Sequence, residues 1–256
     1  MRIDAIKALD DNYIWAIVKG NQAIIVDPGE AAPVLKYLKD HRLNLIAILI
    51  THHHDDHTGG VKELQQVYPS VQTFSHAEHG VNADYVNEGD TVVIDDLSFN
   101  VWHTPGHTDT HLSYLLCVGD KTHVFCADTL FSGGCGRVFT GTMQQLHDSL
   151  ARFKSLPKDT LFYPAHEYTA DNLRFGLMVC SDKAKPAIEQ ALADTLSKLK
   201  QGQISLPTLL SHEYQINVFL QTDDEELITR LQDKIELKKT DSISVFTALR
   251  KLKNEC

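Results

Sequence analysis

The segment LNLIAILITHHHDDHTGGVKELQQVYP, residues 43–69, determines the fold class. Its first part, Leu43 to Ile50, is a continuous apolar run rich in isoleucine and leucine, which predicts a strand buried on both faces. The last part places apolar residues at helical spacing and stops at Pro69. The sequence therefore predicts a strand, a loop of ligand-type side chains and a helix, as in α/β folds that build their sites at strand ends.

The charge balance restricts the classes of partner. The 256 residues include 24 basic and 34 acidic side chains, which gives a formal net charge of −10. Such a chain does not offer a general surface for polyanions, so we expect no nucleic-acid partner. The length is sufficient for a large core in one or two domains, and the fold does not need a metal for its stability. A metal in this protein is therefore expected to serve function.

Cysteine usage and hydropathy predict the compartment. Five cysteines without a C-x-x-C pair fit a reducing environment better than a disulfide framework. The first residues, MRIDAIKALDDNYIW, lack the apolar core and cleavage site of a secretory signal. No stretch reaches the 18 or more apolar residues that a membrane span requires. We therefore expect a soluble, cytoplasmic protein, a monomer without a membrane partner.

The pattern of elements changes near residue 167. Before this point strand-like and helix-like segments alternate, which predicts a sheet-rich α/β domain with helices on both faces. After it the segments DNLRFGLMVC, KPAIEQALADTLSKLKQ, DEELITRLQDKIELK and SISVFTALRKLKNE all have helical periodicity. The predicted domains are an α/β domain at residues 1–166 and a smaller helical domain at residues 167–256.

Histidines concentrate around the loop after the buried strand. Nine of the fourteen lie between residues 52 and 111. Side chains alternate in an extended segment, so His52 and His54 are expected to point the same way and to share one cation. Asp56 and His57 follow where the chain turns into the helix and can hold a second. Imidazole and carboxylate bind zinc, iron and manganese, and two ions about 3.5–4 Å apart form a known hydrolytic arrangement.

Three later segments offer further ligands at strand ends. His107 follows a proline–glycine turn in HTPGHTDTH, Asp128 ends an apolar strand in FCADTLF, and His166 follows another strand in LFYPAHEYT. A carboxylate such as Asp128 can bridge two ions. Taken singly, Asp128 could also cap a helix and His166 could be a surface residue. Together with the first cluster they complete a set of seven candidate ligands.

These motifs resemble those of the metallo-β-lactamase superfamily, whose signature T-H-x-H-x-D-H is present at residues 51–57. The segments DNYIW, TPGHT, ADTLFSGGCGR, PAHEYT and LRKLK are similar, in order and spacing, to those of the glyoxalase II (hydroxyacylglutathione hydrolase) family. The similarity extends over nearly the whole chain. It implies an αββα sandwich followed by a smaller C-terminal helical domain that contributes to glutathione binding.

The resemblance also implies a dinuclear site and its ligands. Zinc is the expected metal, with iron and manganese as alternatives. The bridging aspartate of the family corresponds to Asp128, and Asp56 and Asp128 are the expected catalytic residues. The first metal is expected on His52, His54 and His107, and the second on Asp56, His57 and His166.

The activity implied by the resemblance is hydrolysis of S-D-lactoylglutathione to glutathione and D-lactate, the second step of methylglyoxal detoxification. A hydroxide bridging the two metals is the expected nucleophile. Two departures from the family pattern occur: Phe139 replaces a tyrosine that many members carry, and NVFLQ replaces N-P-F-L-R at residues 217–221. The expected contacts to the glutathione part of the substrate come from Arg137, Tyr168, Arg250 and Lys253.

Other functions of the same superfamily are alternatives. A persulfide dioxygenase would use a single iron, and its relatives generally lack the second-metal ligands and the helical C-terminal domain; a broader thioesterase would accept other acyl carriers. A β-lactamase would carry a secretion signal, and a nuclease would show a basic surface. A non-catalytic binding protein would be expected to lose ligands, and all seven are present. Cys135 has no base beside it in the sequence, so a nucleophilic role is not expected.

Overall fold

The computed structural model of the protein describes residues 1–256 and contains fourteen β-strands and nine α-helices. Contacts along the chain divide it into two compact units. Unit 1 comprises Met1–Thr104 and Thr110–Ala127, and unit 2 comprises Pro105–Asp109 and Asp128–Cys256. This division follows the density of contacts and does not test the predicted domains. The domain boundary expected after residue 166 stays a prediction.

Unit 1 contains ten strands in two groups. The first six follow one another in sheet order; β1 to β3 are antiparallel, and β3 to β6 are parallel. The last four form an antiparallel meander in chain order. The strands are β1 Arg2–Ala8, β2 Asn12–Lys19, β3 Gln22–Val26, β4 Asn44–Leu49, β5 Gln72–Ser75, β6 Asp84–Tyr85, β7 Thr91–Ile94, β8 Leu97–His103, β9 Leu112–Val118 and β10 Lys121–Ala127.

Unit 1 also contains three helices: α1 Ala31–His41, α2 Asp55–Thr58 and α3 Val61–Val67. The amphipathic α1 buries Val34 and Leu38 in the core of the first sheet, and Arg42 closes the helix in the left-handed region at φ 54°. The apolar residues of β4 are buried except for Ile46, which is half-buried, so the strand is largely covered on both faces as the sequence predicts. This core fixes the point at which β4 ends, immediately before the histidine loop.

Unit 2 is largely helical. Its N-capped helices include α4, where Thr142 and Gln145 form a capping box, and α9, which begins after the cap Asp241. The elements are β11 Leu130–Phe131, β12 Gly134–Cys135, α4 Met143–Lys154, β13 Leu161–Pro164, α5 Thr169–Val179, α6 Lys185–Lys200, β14 Thr208–Leu209, α7 Leu210–Ile216, α8 Glu225–Gln232 and α9 Ser242–Asn254. No helix in either unit combines the length and the apolar character needed to cross a membrane.

Two of the elements that differ from the predicted pattern are β1 and α8. The sequence RIDAIKA of β1 mixes charged and apolar residues and does not predict a strand, yet β1 pairs with β2 over seven residues. The helix expected over DEELITRLQDKIELK ends at Gln232. Leu227 and Leu231 anchor its first turns in the core, whereas Asp233 and the charged residues after it are largely exposed. Helical propensity without an apolar anchor does not extend α8.

Candidate metal centre

The histidine loop begins where β4 ends, and Asp27 at the end of β3 holds its first residue. Thr51 donates to the Asp27 carboxylate from both its backbone N–H, at 2.8 Å, and its hydroxyl, at 2.7 Å. The backbone of His54 is extended, with φ −64° and ψ 147°, and α2 starts directly after it. The loop is therefore extended through His54 and turns at Asp55, as the sequence predicts.

His52 and His54 lie on the same face of the extended segment. His52 Nε2 is 3.1 Å from His54 Nδ1, while His52 Nδ1 is 3.0 Å from the Thr51 hydroxyl. The His52 ring is fully buried and stacks on His111, with centroids 4.9 Å apart. One nitrogen of His52 is thus anchored to the protein, and the other faces the nitrogen of His54.

His57 lies between two carboxylates. Its Nδ1 is 3.1 Å from Asp27 Oδ2, and its Nε2 is 3.4 Å from Asp56 Oδ2. The ligand-type atoms of Asp27, His52 and His57 all lie within 4.8 Å of one another. The sequence reasoning did not identify Asp27. A signal was present, because the carboxyl ends of the parallel strands β3 and β4 meet at one sheet edge and DPG directly follows β3.

Two further residues hold Asp56 in place. Asn12 Nδ2 donates to Asp56 Oδ2 at 3.1 Å. A Cβ atom at Gly29 would overlap the backbone carbonyl of Asp56, so only glycine permits this approach. Asn12 belongs to the segment DNYIW, for which the sequence suggested no role of its own. The Asp56 carboxylate is therefore oriented by residues at the ends of neighbouring strands.

Unit 2 brings the three remaining candidate ligands together. His107 Nε2 is 3.4 Å from Asp128 Oδ2, and His166 Nε2 is 3.5 Å from Asp128 Oδ1. All three side chains are at least nine-tenths buried. Each carboxylate oxygen of Asp128 thus faces a different imidazole, which is the disposition required of a carboxylate that serves two ions.

The backbone after β12 orients His107. His107 Nδ1 is 2.7 Å from the carbonyl oxygen of Arg137, which can only accept, so Nδ1 carries the hydrogen. Gly136 lies beside His107 where no side chain fits. A Cβ atom at this position would overlap the carbonyl oxygen of Asp128 and lie 3.3 Å from His107 Cβ. The ring of Phe139 meets the His107 ring edge-on, with centroids 5.2 Å apart.

The hydrogen-bond pattern fits a bound cation. In neutral His107 the hydrogen on Nδ1 leaves Nε2 as a lone-pair acceptor, and this atom faces a second acceptor, the Asp128 carboxylate. Two buried acceptors 3.4 Å apart require a positive group between them or a proton on the ring. Imidazole nitrogen and carboxylate oxygen are also the usual ligands of zinc, iron and manganese. The donor set therefore fits divalent metal.

The residues expected to contact substrate have different surroundings. Arg137 is exposed, and the half-buried Tyr168 stacks on His166 with centroids 4.8 Å apart and rings 6° from parallel. Lys253 is also half-buried and donates to the Asp171 carbonyl at 3.0 Å. Arg250 is only 5% exposed. Its Nη1 donates to the Cys135 carbonyl at 2.7 Å, and its guanidinium carbon lies 5.4 Å from the Phe219 ring centroid.

Asp55, His79, His111 and Cys135, which are not among the seven candidate ligands, have the following surroundings. Asp55 is exposed, while His79 is buried and close to the Thr110 carbonyl, 3.0 Å from its Nε2. His111 is buried beneath His52. Burial raises the pKa of the Cys135 thiol to about 11, although the nearby Arg250 opposes this shift. A thiol that stays protonated at neutral pH is a poor nucleophile, which agrees with the expectation for Cys135.

Two family models together match most of the chain. Residues 9–166 match the metallo-beta-lactamase superfamily, and residues 167–256 match the hydroxyacylglutathione hydrolase C-terminus. The predicted fold class, a metallo-β-lactamase-type αββα sandwich followed by a helical region, is confirmed. The family and the histidine–aspartate clusters together indicate a dinuclear metal site.

Solved structures share this fold. ETHE1 from Myxococcus xanthus is 26% identical with a TM-score of 0.63 and covers 98% of this chain and 99% of its own. A protein crystallised in a di-iron-bound form is 25% identical with a TM-score of 0.55, over 65% of this chain and 92% of its own.

Curated relatives match over their full length. A protein of Neisseria meningitidis serogroup A, named hydroxyacylglutathione hydrolase, is 46% identical over 254 residues, 99% of each chain. A protein of the same name from Vibrio cholerae is 44% identical over 261 residues, covering 100% of this chain and 99% of its own. With both family models matched and relatives aligned from end to end, the chain belongs to the hydroxyacylglutathione hydrolase family of the metallo-β-lactamase superfamily.

Proposed function

We propose that this chain hydrolyses S-D-lactoylglutathione to glutathione and D-lactate. The observation that carries the proposal is the end-to-end match, at 46% identity, to a protein named hydroxyacylglutathione hydrolase. The candidate ligands support it, because all seven are buried or half-buried. Within each unit they also lie close to one another. A mononuclear dioxygenase would not account for the C-terminal match at residues 167–256.

The proposed ligand assignment follows the family pattern. Asp128 would serve both ions, and the support for this role is that its two oxygens face different histidines, at 3.4 and 3.5 Å. The facing nitrogens of His52 and His54 support their joint role in one site. We place the first metal on His52, His54 and His107, and the second on Asp56, His57 and His166.

When bound, the two ions would lower the pKa of a water to about 7 and polarise the thioester carbonyl. The protein's part is to present neutral imidazoles and fixed carboxylates. Asp27 orients His57, Asn12 orients Asp56, and the Arg137 carbonyl keeps the hydrogen of His107 on Nδ1. The leaving thiol has a pKa of about 8.5, so it departs as thiolate without a strong general acid.

Glutathione carries net negative charge, and the proposed contacts supply positive charge locally in a chain of net charge −10. We assign its recognition to Arg137, Tyr168 and Lys253, with Arg250 adding charge from its buried position. Of these four residues, the first belongs to the proposed domain at residues 1–166 and the others to that at residues 167–256. Phe139, which is 59% exposed, offers a ring where many family members offer a hydroxyl.

Zinc is the proposed metal, and we propose a cytoplasmic monomer without nucleic-acid or membrane partners. All five cysteines are free, which supports a reducing compartment. The net charge of −10 supports the absence of a nucleic-acid partner.

The test combines metal analysis of the purified chain with hydrolysis assays. We expect two metal ions per chain and rapid release of thiol from S-D-lactoylglutathione. A thioester with the same acyl group but without the glutathione peptide is the matched control and should be a much poorer substrate. Equal turnover of both would instead indicate a broader thioesterase, and a fully metallated protein inactive on both would overturn the proposal.

A further inference from the structure

The hairpin of β11 and β12, here called the glycine hairpin and taken as residues 130–136, lies between Asp128 and Arg137. Its two strands pair antiparallel, and Gly133 forms the turn with φ 70°. Three of its seven residues, Gly133, Gly134 and Gly136, have no side chain with which to fix the backbone. Contacts to the backbone groups of the hairpin therefore contribute to its position.

A buried carboxylate, Glu213 of α7, meets the turn of this hairpin. Glu213 is fully buried and accepts four hydrogen bonds. Oε1 accepts from the hydroxyls of Ser132, at 2.8 Å, and Thr208, at 2.7 Å. Oε2 accepts from the Gly133 N–H and from Asn217 Nδ2, both at 2.9 Å. Burial raises the pKa of Glu213, and these hydrogen bonds oppose the shift.

Three other buried side chains donate hydrogen bonds to backbone carbonyls of the hairpin. Asn172 of α5 donates to the Ser132 carbonyl at 3.1 Å, and Asn217 donates to the Gly134 carbonyl at 2.9 Å. Arg250 of α9 donates to the Cys135 carbonyl at 2.7 Å. Polar side chains from widely separated parts of the chain thus converge on one short hairpin, and Glu213 is linked to both the hairpin and Asn217.

The hairpin in turn contacts two candidate metal ligands. Gly136 lies so close to the carbonyl of Asp128 that no Cβ atom fits between them. The next residue, Arg137, accepts from His107 Nδ1 at 2.7 Å and so fixes both the ring orientation and the tautomer of that histidine. A shift of the hairpin would move the two groups that set the geometry of Asp128 and His107.

We propose that Glu213 is a positioning residue for the metal ligands, fixing the glycine hairpin so that Gly136 supports Asp128 and the Arg137 carbonyl orients His107. The inference rests on the proposed function only for the identity of the ligands. Glu213 itself belongs to none of the groups of side chains that could hold a metal ion. The side chain suits this position because its two oxygens accept from four donors, two of which, the Gly133 N–H and the Asn217 amide, cannot reverse their role.

The test compares Glu213→Ala with Glu213→Gln and a control. Alanine removes the acceptor of four hydrogen bonds, whereas glutamine keeps one carbonyl for Gly133 and Asn217 and offers its amide to two hydroxyls that can rotate. Leu227→Ala is the control, because Leu227 is fully buried in α8, which packs against α5 and α9. The cavity that it creates should lower the midpoint of thermal unfolding.

The first readout is metal affinity, measured by competition with a chelator and needing no substrate. We expect Glu213→Ala to weaken binding about 10–100-fold, as loss of a ligand-orienting contact does, and Glu213→Gln to stay within a few-fold of the wild type. Leu227→Ala should lose stability with metal affinity unchanged. The second readout is the visible absorption of the cobalt-substituted protein, which should change in Glu213→Ala and not in Leu227→Ala.

Should Glu213→Ala fail to fold, Asn172→Ala gives the same comparison, since it removes the single bond to the Ser132 carbonyl. A smaller loss of metal affinity in the same direction is expected. Wild-type affinity and an unchanged cobalt spectrum in a folded Glu213→Ala protein, or in Asn172→Ala if that is the variant that folds, would overturn the proposal. A wild-type chain that binds metal but does not hydrolyse the thioester would count against the proposed function alone.

Discussion

The two sets of candidate ligands are built differently. In unit 1 the ligands lie within one loop, His52 to His57, and the residues that orient them come from the ends of β2 and β3. In unit 2 they come from three separate segments, and the contacts around them lead to α5, α7 and α9. A ligand set that lies in one loop takes its geometry from the adjoining sheet. A dispersed set requires polar contacts from distant parts of the chain.

The largest expected effect is at Asp128, where the dispersed set converges. We predict that Asp128→Ala loses metal and activity together, because one carboxylate faces both His107 and His166. Activity should fall by at least about 10²-fold, beyond the loss typical of orienting contacts. Metal content and turnover are measured on the same sample. A variant with two tightly bound ions and normal turnover would refute the bridging role.

A smaller effect is expected at Asp27, which orients the candidate ligands of the loop His52 to His57. Its carboxylate receives the Thr51 N–H, the Thr51 hydroxyl and His57 Nδ1. An asparagine side chain at this position would offer a single acceptor oxygen, so Asp27→Asn leaves at least one buried donor unsatisfied. We predict a loss of metal affinity of about 10–100-fold.

Asp40→Asn provides the matched control for Asp27→Asn, since Asp40 is an exposed carboxylate on α1 paired with Lys36. It should leave metal affinity unchanged. Chelator competition on both variants gives the comparison. Equal affinities in the two variants would show that the loop set does not depend on Asp27.

The difference between the two sets also explains what the sequence could predict. The strand, the extended loop and the helix α3 follow from hydrophobic pattern and the alternation of side chains, and the structure has them close to the expected residues, whereas the separate short helix α2 was not predicted. His107, Asp128 and His166 can be identified because each follows a recognisable strand. Their meeting around Asp128 depends on family resemblance, because strand patterns do not specify which strand ends come together.

Long-range contacts decide what two polar side chains of the C-terminal segments do, and the sequence does not indicate these contacts. Glu213 is a charged residue in a segment for which no helix was predicted, and nothing local indicates that it is buried on a hairpin eighty residues earlier. Arg250 was expected to face substrate, yet its guanidinium donates to the Cys135 carbonyl, 115 residues away. Periodicity identifies the face of a helix but not the backbone group that a polar side chain on that face will meet.

The smallest expected effect is at Lys253, which separates substrate binding from ligand positioning on α9. Lys253 is half-buried beside the Phe175 ring and donates to the Asp171 carbonyl, a contact unrelated to the glycine hairpin. Its contribution should be uniform binding of the anionic substrate, worth about 1 kcal/mol. We predict that Lys253→Ala raises KM for S-D-lactoylglutathione roughly fivefold, with kcat and metal content unchanged.

Lys251→Ala, which removes the exposed neighbouring charge, should leave KM as it is. Similar rises in both variants would show that KM responds to the general charge of the helix end, and a loss of metal in Lys253→Ala would place this residue with Arg250 in the support of the ligands.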